Sequence, residues 1–600
     1  MKSLVRIANA GGYWGDDPEA LRRQVTGGPL DYVTMDFLAE ITMVILQRQR
    51  ARDPKAGFAR DFIEHLQLAL PPIAESGVTV IVNAGGINPT GCAEAVEALC
   101  ARAGVDLPLG IVDGDDLLPE LAALEAAGVQ LDHMDGSRRF AEIRGRVVAA
   151  NAYLSAAPVV AALRGGARIV ITGRTTDAAL ILAPLVHEFG WAWDDWDRLA
   201  AGIAAGHILE CGAQATGGNF TDWQRIPSML DVGYPIAEAR ADGTFVVTKH
   251  PHTGGVVSLR TVTEQLLYEI GDPRAYATPD VVADFTSLQL SLDGPDRVRV
   301  SGARGRPAPQ NLKVSVVYQA GYRAVGTALI SGPNAVAKGE RLAEMLWHRL
   351  GTDFTDRRVD FIGHNACWGG AVAPAHEPNE IIFRAGVADA DRAKIKRFAD
   401  HLLGFALQGP PGLGLFGGRP DVQEAFGFWP ALVPRDRVTA RVALRHGGEQ
   451  AVQEVPLTLP AAPPTRAPDA AREVAIEVAD GERAARTSRV RLQTIAYARS
   501  GDKGDHANIG VAARSPQAYG FLREALTAKR VRAFYRDLVR GPIERYELPN
   551  LLAFNFLMQH ALGGGGTLSL RVDHQGKTLA QGLLALELDV PEDVLASVGA

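Results

Sequence analysis

The largest concentration of chemically active side chains lies in residues 495–513, IAYARSGDKGDHANIGVAA, between two apolar runs. It contains two carboxylates, an ammonium and an imidazole within five positions, at Asp502, Lys503, Asp505 and His506. Gly501 and Gly504 let the chain turn so that these groups can converge. Such a set could move protons on a bound substrate, with Lys503 stabilising developing negative charge. We therefore expect a proton-transfer site here, at which Asp505→Asn or Lys503→Ala abolishes turnover.

Two other interpretations of this segment stay open. The two aspartates and His506 could bind a divalent ion, although the adjacent ammonium of Lys503 would oppose a cation. The charges could also compensate one another in a hairpin turn, an arrangement that is common and contributes little energy. Residue types alone do not separate a site from such a turn.

A second segment with reactive side chains is GHILECGAQATGGNF, residues 206–220. Glu210 in this segment could act as a general base. Cys211 could be a nucleophile only beside a basic neighbour. The alternative, which we favour for Cys211, is a buried thiol at a helix end that Gly212 terminates.

A third segment, TKHPHTGGVVS, spans residues 248–258. Its two histidines could face a metal together, but zinc needs a third ligand that the segment lacks, and we predict no metal site. Lys249 and Thr253, followed by a glycine pair, favour contact with an anion. Histidines that only serve the fold are the alternative.

The elements that must position these groups repeat one sequence pattern over the first two hundred residues. A short apolar run is followed by Gly, Asn or Asp and then by a longer helical pattern, as in VTVIVNAGG before TGCAEAVEALCARAG. Strands that alternate with helices of this length indicate parallel β-α-β units with helices on both faces. We predict an α/β fold with a Rossmann-like parallel sheet in residues 1–290.

The remaining chain has a different pattern. Residues 291–455 predict an α+β subdomain, in which residues 312–330 form an antiparallel hairpin. Residues 456–487 contain many Pro and Ala and no aromatic side chain, which is typical of a linker. Two hairpin-like pairs around helices predict a C-terminal ferredoxin-like α+β domain in residues 488–600.

Polar residues follow the strands of the predicted parallel sheet, where ligands of such sheets bind. They are Asn9, Gly11 and Gly12; Asp36; Asn83, Gly85, Gly86 and Asn88; Asp113, Asp115 and Asp116; Asn151; and Arg174 and Asp177. None of these loops is a complete dinucleotide or nucleoside-triphosphate motif. Backbone N–H groups near the glycine pairs could hold phosphate, so the predicted cofactor-binding residues are Gly11, Gly12, Gly85, Gly86, Asn88, Lys249 and Thr253.

Composition excludes several functions. The formal net charge is −7 and no basic block occurs, so we predict no nucleic-acid partner. Four cysteines in 600 residues make no disulfide framework. No run of about 18 apolar residues occurs, so we predict no membrane span and a cytoplasmic protein.

Five motifs together resemble the acyclic terpene utilisation family of the AtuA type. They are NAGG with NPTG, VITGRTTDAAL, AGHILECGAQATGGNF, KHPHTGGVVS with TVTEQLLYEIGDP, and ARSGDKGDHANIG. The resemblance spans essentially the whole chain and includes an appended ferredoxin-fold domain. It implies a role in the breakdown of branched or terpenoid acids as coenzyme A thioesters.

The resemblance implies a lyase, either a C–C lyase or a hydratase, that acts on an acyl-CoA substrate without a tightly bound cofactor. We expect a homo-oligomer, associated with an acyl-CoA carboxylase or hydratase. The alternative is a non-catalytic acyl-CoA-binding or scaffold subunit of such a carboxylase. The family has no assigned catalytic residues, so our candidates come from this sequence: Asp502, Lys503, Asp505, His506, Glu210, Arg174 and Asp177. The C-terminal loop and the strand-end crevice could form one shared site.

Overall fold

The computed structural model describes residues 2–136, 138–364, 366–372, 374, 376–459 and 486–599. The chain forms two compact units. The first unit contains Met1–Val317, Trp429–Ile476 and Glu547–Ala553, and the second contains Tyr318–Phe428, Glu477–Tyr546 and Phe554–Ala600. The boundaries of these units differ from the predicted domain boundaries at residues 290 and 455, and those domain boundaries stay predictions. Most of the predicted linker, residues 460–485, lies outside the described residues.

The strands are β1 Val5–Asn9, β2 Tyr32–Met35, β3 Thr79–Val82, β4 Leu109–Asp113, β5 Val147–Ala152, β6 Ile169–Thr172, β7 Ile236–Ala239, β8 Phe245–Thr248, β9 Tyr276–Ala277, β10 Val282–Asp284, β11 Gln289–Gly294, β12 Arg297–Ser301, β13 Arg304–Arg306, β14 Asn311–Ser331, β15 Asp356–Ile362, β16 Glu380–Asp389, β17 Leu413–Leu415, β18 Gln423–Pro434, β19 Thr439–His446, β20 Glu449–Pro456, β21 Thr487–Arg491, β22 Ala496–Lys503, β23 His506–Ala513, β24 Ile543–Leu548, β25 Ala553–Met558 and β26 Glu587–Pro591.

The helices are α1 Ala20–Gly27, α2 Glu40–Arg52, α3 Asp61–Ser76, α4 Pro89–Ala103, α5 Leu121–Ala126, α6 Ala157–Arg164, α7 Ala179–Phe189, α8 Trp196–Leu209, α9 Leu259–Leu266, α10 Ala335–Leu350, α11 Arg392–Leu402, α12 Pro516–Ala525, α13 Ala528–Phe534, α14 Leu579–Leu584 and α15 Glu592–Ser597. None of the described helices is long and apolar enough to cross a bilayer.

The first unit is built on an eleven-stranded sheet with the order β11-β12-β8-β7-β1-β2-β3-β6-β4-β19-β20. Its five central strands, β1, β2, β3, β6 and β4, pair in parallel, and the flanking strands are antiparallel. One strand face shares a hydrophobic core with helices α1, α3 and α4. Helices α6, α7 and α8 pack against one another and against the sheet. This half is mixed α/β, and the description Rossmann-like stays a prediction.

The path of the chain changes direction between β3 and β6, which are neighbours in the sheet. After β3 the chain passes to β4, on the far side of β6, and after β6 it passes to β7, beside β1. The loops that leave the carboxyl ends of these two strands therefore diverge. Such a switch point leaves a crevice in which open α/β sheets bind ligands.

The second unit contains a sheet with the order β15-β16-β14-β17, covered by α10 and α11 over a common core. The predicted hairpin over residues 312–330 is wrong, because β14 runs as one strand through this segment. From Tyr322 to Ser331 it pairs without interruption with β16. Gly321 has φ +131°, so the chain deviates there without reversing. A second sheet has the order β22-β23-β25-β24, and β21 pairs with β26.

Candidate functional site

Arg174 is the centre of a group of charged side chains in the first unit. It lies in the loop between β6 and α7, and its side chain is only 4% exposed. Its guanidinium donates to Asp177 Oδ1 at 2.8 Å and to the carbonyl of Leu38 at 2.7 Å. It also lies 4.2 Å from the ring centre of Tyr153. Burial opposes the charge, but Asp177, Tyr153 and Asp36 raise the pKa of Arg174, so it stays a cation.

The two aspartates beside Arg174 hold protons more tightly than usual. Burial raises the pKa of Asp36 to about 6, although Arg174 and Asn83 oppose the rise. Burial likewise raises the pKa of Asp177 well above its usual value despite Arg174, and Asp36 and Glu210 raise it further. The Asp177 side chain is still 32% exposed, so solvent reaches the group. A carboxyl that keeps its proton near neutral pH can act as a general acid.

Strand-end amides and a further aspartate fix this geometry. Asn83, after β3, donates from Nδ2 to Asp36, and its Oδ1 accepts from the N–H of Phe37. Asp115 Oδ2, after β4, accepts from Asn151 Nδ2 at 2.8 Å and from the N–H of Arg174 at 3.0 Å. Burial raises the pKa of Asp115 to about 7. The sheet order therefore joins residues that the sequence places at separate strand ends.

Helix α8 brings a second acid–base pair to the group. His207 lies in its last turn and Glu210 caps its end, and the i,i+3 spacing places both on one side. His207 Nδ1 lies 3.2 Å from Glu210 Oε1. Glu210 raises the pKa values of Asp36 and Asp177, so its charge acts on both aspartates.

A third side of the group carries an anion paired with a cation. Tyr153 donates its hydroxyl to Glu40 Oε1 at 3.1 Å, and Lys313 Nζ lies 3.8 Å from the same oxygen. Burial opposes ionisation, but Lys313 and Arg174 hold the pKa of Glu40 below its usual value. The group thus combines one firm anion, two cations and two carboxyls whose pKa values burial raises.

Several buried polar atoms of this group have no hydrogen-bond partner among the described residues. They are Arg174 Nε, Thr175 Oγ1, Thr176 Oγ1, His207 Nε2 and Glu210 Oε2. Buried polar atoms are nearly always satisfied, and an unsatisfied one requires a physical reason. Five such atoms from two neighbouring segments offer donors and acceptors to a bound polar molecule. We call the cluster of Asp36, Glu40, Arg174, Asp177, His207 and Glu210 the buried cluster.

The glycine loops predicted to hold phosphate are packed closely against protein. The N–H of Gly11 donates to Asn9 Oδ1 at 2.9 Å and that of Gly12 to Asp16 Oδ2 at 2.8 Å. A Cβ on Gly12 would lie 2.6 Å from the Cys211 carbonyl carbon, so this loop touches the segment after Glu210. A Cβ on Gly85 or Gly86 would lie 2.5 Å from the Thr172 oxygen and 2.4 Å from Leu46 Cδ1, respectively.

The other predicted anion contacts also have protein partners. Asn88 caps α4 by accepting from the N–H of Gly91 at 3.0 Å. Lys249 Nζ donates to the Thr253 carbonyl at 2.9 Å and lies 3.2 Å from Asp296 Oδ2. The roles of Asn88, Lys249, Thr253 and the glycines in cofactor binding stay predictions.

The C-terminal motif is the tip of the hairpin β22–β23 in the second unit, with Lys503 paired to His506. Asp505 accepts from the N–H of Gly564 at 2.6 Å and lies 3.0 Å from His560 Nδ1. His506 Nδ1 accepts from the N–H of His560 at 3.1 Å. Asp502 pairs with Lys577 at 3.1 Å.

The rest of the hairpin is anchored in the same way. Ser500 bonds to Gly576 and Ala580, and Asn508 donates to Asn555 at 2.9 Å. The part of the chain that the structure describes contains no group of three potential metal ligands. The catalytic roles of Asp502, Lys503, Asp505 and His506 stay predictions, as does a site shared with the strand-end crevice.

Sequence reasoning selected Arg174, Asp177 and Glu210 but not Glu40 and His207 of the buried cluster, nor the adjacent Lys313. Glu40 starts helix α2, and Lys313 comes from the distant strand β14, so no local pattern links them to Arg174. His207 had one available signal, its i,i+3 spacing to Glu210.

Comparison with protein families gives two matches. The model of "Acyclic terpene utilisation family protein AtuA" matches residues 5–444, and that of "AtuA ferredoxin-like domain" matches residues 490–589. No curated protein and no solved structure matches the chain. The first match covers most of the chain and contains every member of the buried cluster. The second confirms the predicted ferredoxin-like domain. The chain therefore belongs to the acyclic terpene utilisation family, AtuA type, with a C-terminal AtuA ferredoxin-like domain.

Proposed function

We propose that this protein is an enzyme that acts on a branched or terpenoid acyl-CoA thioester by acid–base chemistry beside the thioester carbonyl, and that the buried cluster is its reactive centre. The observation that carries the proposal is the set of unpartnered polar atoms on Arg174, Thr175, Thr176 and Glu210, next to the Asp177 carboxyl, whose pKa burial raises. Family membership supports the acyclic branched carbon skeleton.

Hydration of an enoyl thioester and retro-aldol cleavage of a 3-hydroxyacyl thioester require the same kinds of catalytic group in a site. In hydration, a water proton goes to a base, oxygen bonds to Cβ, and the π electrons move to the thioester oxygen. In cleavage, the hydroxyl proton goes to a base and the Cα–Cβ bond breaks into a ketone and an enolate. Both sequences end with a proton delivered to Cα. Each requires a base, an acid and donors for an oxyanion.

The buried cluster offers a group for each demand. Glu210 Oε2 can accept the first proton, because no described residue donates to it. Arg174 Nε and the hydroxyls of Thr175 and Thr176 can donate to the thioester oxygen. Asp177, whose pKa burial raises and which solvent reaches, can deliver the proton to Cα. No tightly bound cofactor takes part in either sequence of bond changes.

The test uses the purified full chain with two probes, a branched 2-enoyl-CoA and a branched 3-hydroxyacyl-CoA, and follows both thioesters by mass spectrometry. Addition of one water to the first, or loss of a ketone from the second, would support the proposal. The same products should be absent with Asp177→Asn. Binding of both thioesters without a change of mass would overturn it and would fit a non-catalytic acyl-CoA-binding subunit.

A further inference from the structure

His207 is one of the most deeply buried polar side chains of the first unit, with 1% exposure. Its ring packs 5.3 Å from the ring centres of Tyr276 and Phe285, which stack on each other at 4.7 Å. Its backbone carbonyl accepts from Gln265 Nε2 at 3.0 Å. The ring therefore packs against an aromatic pair, and the backbone that carries it is fixed by a separate hydrogen bond.

The polar contacts of His207 are unequal. Nδ1 lies 3.2 Å from Glu210 Oε1, whereas Nε2 has no partner among the described residues. A neutral imidazole carries one N–H, and a buried N–H without an acceptor is costly. The proton therefore belongs on Nδ1, where the Glu210 carboxylate accepts it.

This hydrogen bond leaves the two oxygens of Glu210 in different situations. Oε1 is engaged by the imidazole, and Oε2 is buried without a donor. Glu210 also raises the pKa values of Asp36 and Asp177, so its charge acts on the aspartates of the buried cluster. A carboxylate with one oxygen fixed and the other unoccupied is prepared to accept a proton from a bound molecule.

We propose that His207 is the positioning residue of the catalytic base: it fixes Glu210 through Oε1 so that Oε2 meets the substrate proton. This inference rests on the proposed function, since it names the group that orients the base in that site.

The test compares two substitutions at His207 that differ in hydrogen bonding. His207→Asn places an amide N–H near the position of Nδ1, and His207→Leu fills similar space without a donor. We expect His207→Leu to lower kcat about 10- to 100-fold with KM unchanged, and His207→Asn to restore most of the loss. His187→Leu, a half-buried histidine of α7 outside the buried cluster, should leave kcat unchanged.

Equal kcat values for the Leu and Asn variants would overturn the proposal, because a role in packing alone does not distinguish them. A second readout does not depend on turnover. In protein labelled with ¹⁵N-histidine, the His207 signal, identified by its loss in His207→Leu, should report a proton on Nδ1, and Glu210→Leu, which removes the acceptor, should change that signal. A proton on Nε2 in the unsubstituted protein would contradict it. Failure of every thioester to react would reject the proposed function, and the NMR result would still decide on the hydrogen bond.

Discussion

The buried cluster of the first unit and the hairpin tip of the second unit contain similar side chains and use them differently. Each combines aspartates, a histidine and a basic side chain beside glycines. In the hairpin, Asp505 has a donor on each oxygen, and Asp502 pairs with Lys577. In the buried cluster, Arg174, His207 and Glu210 each retain a buried polar atom without a partner among the described residues.

Residue types alone therefore do not identify a reactive centre. A charged turn whose groups satisfy one another stabilises the fold, whereas unsatisfied and buried groups with shifted pKa values are typical of functional sites. By this criterion we propose that the chemistry lies in the buried cluster, and the hairpin tip joins β22–β23 to the segment around residues 560–580.

Asp177→Asn should have the largest effect, because it removes the proton that we propose Asp177 delivers to Cα. We expect kcat to fall about 10²- to 10⁴-fold, the usual contribution of a general acid. Folding should be little affected, because an amide resembles the protonated carboxyl. Asp195 is the matched control, since it is 31% exposed and pairs with an arginine three residues away. Steady-state kinetics in which both asparagine variants keep full activity would remove Asp177 from the chemistry.

Arg174→Met tests whether the buried cluster depends on its central cation. Arg174 helps to hold Glu40 as an anion and donates to the Leu38 carbonyl, so its removal leaves that charge less compensated and that carbonyl without its donor, and we expect the free energy of unfolding to fall by about 3 kcal/mol. Arg198→Met, in the exposed pair with Asp195, should cost about 1 kcal/mol or less. Urea titrations of the two variants measure this contrast. A similar loss for both would mean that Arg174 is not the main counter-charge of its neighbours.

Asp505→Asn tests the structural role of the hairpin tip. One of its two oxygens becomes an NH₂ group, so either Gly564 or His560 loses its acceptor. We expect a loss of about 1–3 kcal/mol in the stability of the second unit and unchanged kcat per folded molecule. Asp537→Asn, at a 59% exposed position of the same unit, is the control. Unchanged stability together with lost turnover would place the chemistry at the hairpin instead.

Asp115→Asn should give the smallest effect per pH unit, and it appears in the pH dependence of stability. The folded-state pKa is raised to about 7, so between about pH 4 and pH 7 the folded chain holds a proton that the unfolded chain has lost. This group therefore makes stability fall as pH rises, with a slope of at most about 1.4 kcal/mol per pH unit. The variant should remove this contribution, and the exposed control Asp194→Asn should not. Identical pH profiles for Asp115→Asn and the unsubstituted protein would contradict the shift.

The sequence supports much of the fold and part of the candidate site. Because parallel strands end at one edge of a sheet, Asp36, Asn83, Asp115 and Arg174 could be expected to meet, and they do. The position of Glu40 depends on how α2 begins, and that of Lys313 depends on β14 reaching β5. These contacts arise from tertiary packing, which no local pattern encodes.

Two further points could not be read from the sequence for physical reasons. Residues 312–330 alternate around a glycine, which suits either a turn or a deviation within one long strand, and pairing with β16 decides between them. The hairpin motif contains acids and bases, but the hydrogen-bond and ion-pair partners of its aspartates are His560, Gly564 and Lys577. These partners lie more than fifty residues away in sequence. Whether a charged group is satisfied is a property of the folded chain.

The most direct measurement is a crystal structure of the full chain with an unreactive thioether analogue of a branched acyl-CoA that keeps its acyl carbonyl. We expect the carbonyl oxygen of the bound analogue to accept from Arg174 Nε, and we expect Glu210 Oε2 to face Cβ of the analogue. An analogue whose carbonyl is bound by Lys503 or His506, with solvent in the buried cluster, would contradict it.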